Sequence, residues 1–276
     1  MADDGDEYPS CDACEEAAYG ALWGAFVADA AGAVLEFAPA EWDRSGARHA
    51  MTLPGGGKNN LRRGQVTDDS EMALALGLAL AEQPLANRAS CFPANAVALA
   101  YGRWKASNPP DIGNTVRASV GVAAPRGRQA RPSPSIVPVT AALMAKTAAR
   151  RSMASLGNGA LMRAIPLAIC FAFAPLAVIV DAAASDARLT HPNLICVAAN
   201  VAYIAALATL IASASHCGVV DLAARQAAAR ESAEAALAEL AAQSEGSDEL
   251  DLRPPARWPR SVRLCACVPD SGGSGA

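Results

Sequence analysis

The chain is expected to be all-α, on three observations. Alanine, the strongest helix former, is very abundant in a composition that is 52% apolar but only 5% aromatic, so small side chains and closely packed helices are expected. Apolar residues recur at helical spacing in one segment after another along the 276 residues. The alternation of Val, Ile and Thr that marks half-buried strands is hard to find.

In chain order, residues 3–16 carry seven acids and no base. Residues 1–14 therefore read as a solvated acidic leader rather than a signal peptide, and a cytoplasmic location is expected. One helical domain follows over 15–243, with helix periods predicted at 15–35, 69–83, 92–106, 113–122, 138–150, 159–172, 176–185, 192–214 and 219–243. Pro54-Gly55-Gly56-Gly57, Pro84, Pro109-Pro110, Pro166 and Pro175 punctuate them. Residues 123–137, with three arginines and no acid, form a proline-rich loop that reads as an exposed insertion. Residues 194–215 carry no charge and are long enough to span a bilayer, but alanine content, Asn200 and the lack of a flanking basic cluster favour the central helix of a bundle. Residues 244–276 show no apolar periodicity and are expected to be irregular.

Charge and cysteine usage narrow the partners. A net charge of −4 argues against nucleic acid, and neither membrane insertion nor an oligomeric state is indicated. Of eight cysteines, Cys91, Cys170, Cys196 and Cys217 sit in or beside apolar runs and read as buried thiols of a reducing compartment. Cys11-x-x-Cys14 and Cys265-x-Cys267 lack the second pair that a zinc site needs.

Chemistry collects in five patches. Thr67, Asp68 and Asp69 stand side by side before an apolar helical run. They suit either a helix start, with Asp68 as N-cap and Glu71 closing a capping box, or a Mg²⁺-type site, since hard cations take carboxylate and hydroxyl oxygens. Asp29 and Glu36, seven apart in a small apolar helix, share a face; such carboxylates mark either a surface stripe or a functional pair. Asp111-Ile112-Gly113-Asn114-Thr115 reads as a helix start with Asp111 as cap. Gly157-Asn158-Gly159 reads as a turn or as backbone donors for phosphate or ribose. Thr190-His191-Pro192 opens the uncharged helix, where a histidine is ordinarily a cap or a surface residue.

In this order the motifs strongly resemble the ADP-ribosylglycohydrolase family (the dinitrogenase reductase-activating glycohydrolase group) over about residues 18–215, with the insertion unmatched. The resemblance implies a compact, orthogonally packed multi-helix bundle with two Mg²⁺ ions. It implies hydrolysis that removes ADP-ribose from a modified protein or an ADP-ribosyl small molecule. It implies Thr67, Asp68 and Asp69 as metal ligands and Glu36 and Asp69 as catalytic groups. Asp29, Asp111, Asn158, Gly159 and His191 are implied to line the substrate cleft. The family's second metal motif, Gly-Gly-Asp-Thr-Asp-Thr, is not found; the nearest acids are Asp248-Glu249-Leu250-Asp251 and Asp270. The expectation is therefore a truncated or altered C-terminal region, incomplete Mg²⁺ binding and impaired turnover. The alternatives are an inactive ADP-ribose-binding relative or a crystallin-like structural one.

Overall fold

A computed structural model describes residues 12–37, 43–84, 90–120, 141–215 and 222–244, and among these it contains ten α-helices and no strand. Residues 1–11 of the leader, the 123–137 insertion and the tail beyond Ser244 lie outside the described residues, together with Cys217, Cys265, Cys267 and the acids at 248–251 and 270. The leader's last three residues, read from the sequence as solvated, instead begin the first helix, where Cys14 is buried. The helices are α1 (Asp12–Gly32), α2 (Arg44–Ala50), α3 (Asp68–Ala81), α4 (Ala94–Ala106), α5 (Asn114–Val120), α6 (Ala141–Arg151), α7 (Ile165–Cys170), α8 (Leu176–Arg188), α9 (Leu194–Ala212) and α10 (Leu222–Ser244). The all-α expectation holds.

The uncharged helix α9 is the hub. It packs against α10, α8, α7 and α1, burying Val197, Val201, Ile204, Ala205 and Ala208. Its length and apolarity are those of a membrane span, yet half of its apolar window is buried by protein. Helix α10 presents Ala229, Ala233, Ala236 and Leu240 as its buried stripe, at the spacing that one helical face requires. Burying alanine removes little apolar area per residue, so the core depends on close backbone approach over many contacts.

Several boundaries depart from the sequence reading for identifiable reasons. Helix α1 stops at Gly32, so Glu36 lies beyond it in a turn that ends at Phe37 with φ 60°. Asp29 and Glu36 are thus not two turns apart on one helical face. The predicted helix over 159–172 begins only at Ile165, with Pro166 in its first turn. Proline lacks the N–H that a longer helix would need there, and residues 159–164 form turns instead. Helix α2 was not predicted; its signal was Asp43, whose carboxylate accepts the Gly46 N–H and the Ser45 hydroxyl, each at 2.8 Å. Cys14 and Cys196 are buried and Cys170 half-buried, but Cys91 is exposed. It falls in the connection ahead of Pro93 rather than in α4.

Candidate active site

The N-terminus of α3 is built by a carboxylate from another helix. Thr67 is the N-cap, and its side chain makes no capping bond. Asp29, from α1, accepts the N–H of Thr67 at 2.9 Å and of Ser70 at 3.2 Å. It also accepts the hydroxyls of Thr67 at 2.7 Å and Ser70 at 2.6 Å. Asp29 therefore satisfies orphan donors of the first turn from outside. The capping-box reading fails on both counts: Asp68 is already helical, and Glu71 accepts the Trp104 indole N–H at 2.8 Å. Because Asp29 takes the Thr67 proton, the lone pairs of Thr67 Oγ1 are left for another donor or a cation.

A glycine-rich loop aligns the remaining acids. Gly57 has φ 65°, and a Cβ there would lie 2.7 Å from the carbonyl oxygen of Ala33, so only glycine lets this loop close onto the turn after α1. The next residue, Lys58, sits 3.9 Å above the Phe37 ring. Asn59 then donates to Asp111 Oδ2 at 2.7 Å, while Asp111 Oδ1 accepts the Ile112 N–H at 2.7 Å. Asp111 is consequently not the cap of α5, which starts at Asn114. Its carboxylate is held toward the cleft.

All nine residues singled out from the sequence line one cleft of about 690 Å³, within the range of small-molecule sites, roughly 300–1,000 Å³. Thr67, Asp68, Asp69, Asp29, Glu36 and Asp111 supply its carboxylates and a hydroxyl. Gly157, Asn158, Gly159 and His191 also line it, with Val116 and Met162 as apolar lining. The Gly157–Gly159 loop is not at a helix N-terminus, because α7 begins six residues after Gly159. His191 is neither cap nor surface residue: Asn193 caps α9 by accepting the Ile195 N–H at 2.9 Å, and His191 is buried.

Crowding of acids sets the electrostatics. Burial, then the neighbouring charges of Asp29, Asp68 and Glu36, pushes Asp69 up to about 7. Burial and Asp111 push Asp68 to about 6. Glu36 is raised by burial and by Asp111, with Lys58 opposing. His191 is lowered to about 4 by burial and by the Arg163 charge. A hard cation would relieve this repulsion, and two carboxylates with a hydroxyl are the donor chemistry it takes. Among the described residues, however, no three carboxylate, imidazole or thiolate groups are gathered with metal-holding geometry. The cluster fits part of a coordination shell.

One functional feature was missed. Arg163, fully buried, donates to Asp186 Oδ2 and the Asp186 carbonyl, to the Gly159 carbonyl, each at 3.0 Å, and to Thr190 Oγ1 at 2.9 Å. Tyr101 donates to the other oxygen of Asp186 at 2.7 Å and lies under the guanidinium. This network ties the Gly157–Gly159 loop to the Thr190-His191 segment. Its signal in the sequence was a lone arginine inside the apolar stretch Leu161-Met162-Arg163-Ala164-Ile165, which demands a buried partner.

The comparison that decides the family is broad. The profile of the ADP-ribosylglycohydrolase family matches residues 10–272. The chain belongs to the ADP-ribosylglycohydrolase family. That match runs past the 18–215 stretch that carried the sequence resemblance. The chain is also similar to the ADP-ribosyl-[dinitrogen reductase] glycohydrolase of Rhodospirillum rubrum, 33% identical over 176 residues, which are 63% of this chain and 51% of the relative. It thus spans about half the length of that relative.

Two expectations for this ADP-ribosylglycohydrolase cleft follow from its geometry. At Gly159 an added Cβ would lie 2.8 Å from His191 Cε1 and 3.0 Å from Val116 Cγ2. Gly159→Ala should cost roughly 1–3 kcal/mol by overpacking, read by denaturant titration; an unchanged midpoint would mean that the ring moves aside freely. The second concerns pH. Asp68 and Asp69 have folded values raised from 3.8 to about 6 and about 7. Their contribution is full below the unfolded value and lost as pH rises through the folded ones. His191, lowered from 6.5 to about 4, opposes this as pH falls across that interval. Two acids outweigh one imidazole. Without divalent cations, the melting temperature should be higher at pH 5.5 than at pH 7.5, and the reverse order in a thermal scan would contradict the electrostatics described.

Proposed function

We propose that this chain is a metal-dependent hydrolase that removes ADP-ribose from modified protein side chains, cleaving an N- or O-glycosidic bond at the anomeric carbon of the ribose. The observation that carries the reading is the convergence of five motifs, separated along the chain, on one acid-lined cleft. The relative acting on an ADP-ribosylated protein supports a modified protein as substrate.

Thr67, Asp68 and Asp69 would hold Mg²⁺. Bound there, the ion supplies positive charge for orienting ribose hydroxyls and water and relieves the repulsion among the acids. The chain's own residues supply the rest. Asp29 aims the Thr67 hydroxyl and fixes the first turn of α3. Asn59 fixes Asp111 at the ribose side. Glu36, exposed at the rim and outside the ligand set, gives a proton to the departing nitrogen or oxygen as the glycosidic bond breaks. Asp69 orients the attacking water by accepting its hydrogen bond and takes its proton as the water's oxygen bonds to the anomeric carbon. Asn158, Gly159 and His191 hold the ADP-ribosyl group.

Three ligands form half of a two-metal shell. Mg²⁺ keeps near-octahedral geometry and sheds water reluctantly, so a chain with this donor set should bind the ion weakly and turn over slowly. Retention of ADP-ribose without turnover is the second reading, motivated by the second metal motif that the sequence does not show. Incubation with ADP-ribosylated arginine and serine peptides separates the two. Release of free ADP-ribose supports hydrolysis; saturable calorimetric binding with no release supports the binding-only reading.

A further inference from the structure

Among the described residues, the cleft is lined by five carboxylates, Asp29, Glu36, Asp68, Asp69 and Asp111, and by no lysine or arginine. An anionic ligand there meets little positive charge from the side chains that line it. The imidazole in that lining is His191, and its surroundings decide which of its nitrogens carries a proton.

Thr190 is fully buried, and its Oγ1 lies 2.9 Å from Arg163 Nη1 and 2.9 Å from His191 Nδ1. Arginine only donates, so Thr190 Oγ1 is the acceptor in the first of these bonds. Among the described residues, the acceptor within reach of the Thr190 hydroxyl proton is His191 Nδ1. Were Nδ1 itself protonated, that hydroxyl proton would be buried without a partner, at the cost of desolvating it. The guanidinium is fixed in turn by both the side-chain carboxylate and the carbonyl of Asp186, and it also holds the Gly159 carbonyl at 3.0 Å. A Cβ at Gly159 would lie 3.2 Å from His191 Nε2 and one at Gly157 3.5 Å from it. Nε2 is therefore on the Gly157–Gly159 side of the ring, and it has no hydrogen-bond partner among the described residues.

We propose that Arg163 and Thr190 fix His191 as the neutral tautomer with its proton on Nε2, making it an uncharged donor to an acceptor oxygen of the ligand at the Gly157–Gly159 end of the cleft. Burial, and then the nearby Arg163 charge, keep the ring neutral, in line with its lowered pKa. Arg163 and Thr190 are positioning residues: they touch His191 and the loop rather than the ligand. The part concerning the ligand rests on the reading of the cleft as an ADP-ribose site; the tautomer does not.

The test is a two-bond proton–nitrogen correlation spectrum of the full chain labelled with ¹⁵N-histidine, without ligand, at pH 7 and 5.5. The His191 signal is assigned by its loss in His191→Gln. The expected result is the Nε2–H pattern at both pH values; an Nδ1–H pattern, or an imidazolium at pH 5.5, overturns the proposal. Thr190→Val should mix the tautomers and weaken ADP-ribose about tenfold, the scale of one hydrogen bond. Thr190→Ser, which keeps the hydroxyl, should restore both. An unchanged His191 pattern in Thr190→Val also overturns the proposal. ADP titrated alongside identifies the acceptor: it loses the same factor if a diphosphate oxygen receives the proton, and nothing if a hydroxyl of the distal ribose does. If wild-type protein shows the tautomer but no ADP-ribose binding, the functional reading fails and the relay stands.

Discussion

Asp69→Asn should produce a protein that is more stable than wild type and inactive. At pH 7.5 without metal, wild-type Asp69 is ionised against a carboxyl pushed up to about 7 by burial and by Asp29, Asp68 and Glu36. The amide keeps the shape and removes the charge. Discounted for the partial exposure of this side chain, the gain should be about 1–2 kcal/mol, visible as a higher melting temperature in chelator. The gain should shrink toward pH 5, where the wild-type carboxyl is protonated in the folded state. Release of ADP-ribose should fall at least about a hundredfold, because the substitution removes both the proposed metal ligand and the proposed acceptor that orients water. A variant that is active and no more stable would remove Asp69 from the account.

Arg163→Met is expected to have the largest effect on folding. It leaves the Asp186 carboxylate buried with Tyr101 as its remaining side-chain partner, and breaking a buried pair from one side costs about 3–5 kcal/mol. It also frees the Gly159 carbonyl and the Thr190 hydroxyl, so the loop and the histidine should lose their register together. The measurement is denaturant unfolding of soluble protein, or the soluble fraction on expression where no folded protein remains. Arg163→Met with Asp186→Leu should recover part of the loss, since the stranded charge is then gone. A single variant within about 1 kcal/mol of wild type would show that Asp186 finds another partner.

What the sequence disclosed and withheld follows from the range of the interactions involved. Helices such as α3, α4 and α9 were legible because apolar spacing is a local property and Pro84 and Pro109-Pro110 punctuate it. Helix α2 and the turns at 159–164 carry little periodicity, and there the reading missed one helix and lengthened another. The role of Asp29 could not be read locally: a capping group 38 residues before Thr67 leaves no mark in the first turn of α3. For the same reason Asp111 passed as a cap, when its partner Asn59 is 52 residues away. The order of the motifs, rather than any one of them, brought the nine cleft residues together in advance. Arg163 stood inside one of those motifs, and its partner Asp186 lay 23 residues on with nothing local to pair them.

The cleft as an Mg²⁺-dependent ADP-ribosyl hydrolase is the central claim, and one assay reaches it directly. Free ADP-ribose is quantified after incubating the chain with peptides ADP-ribosylated on arginine or serine, across a Mg²⁺ titration and in chelator, for wild type and Asp69→Asn. The account predicts slow release from at least one peptide, rising with Mg²⁺ without early saturation, and reaching background in chelator and in the variant. Release that persists unchanged in chelator or in Asp69→Asn, or no release at any Mg²⁺ concentration, would contradict it.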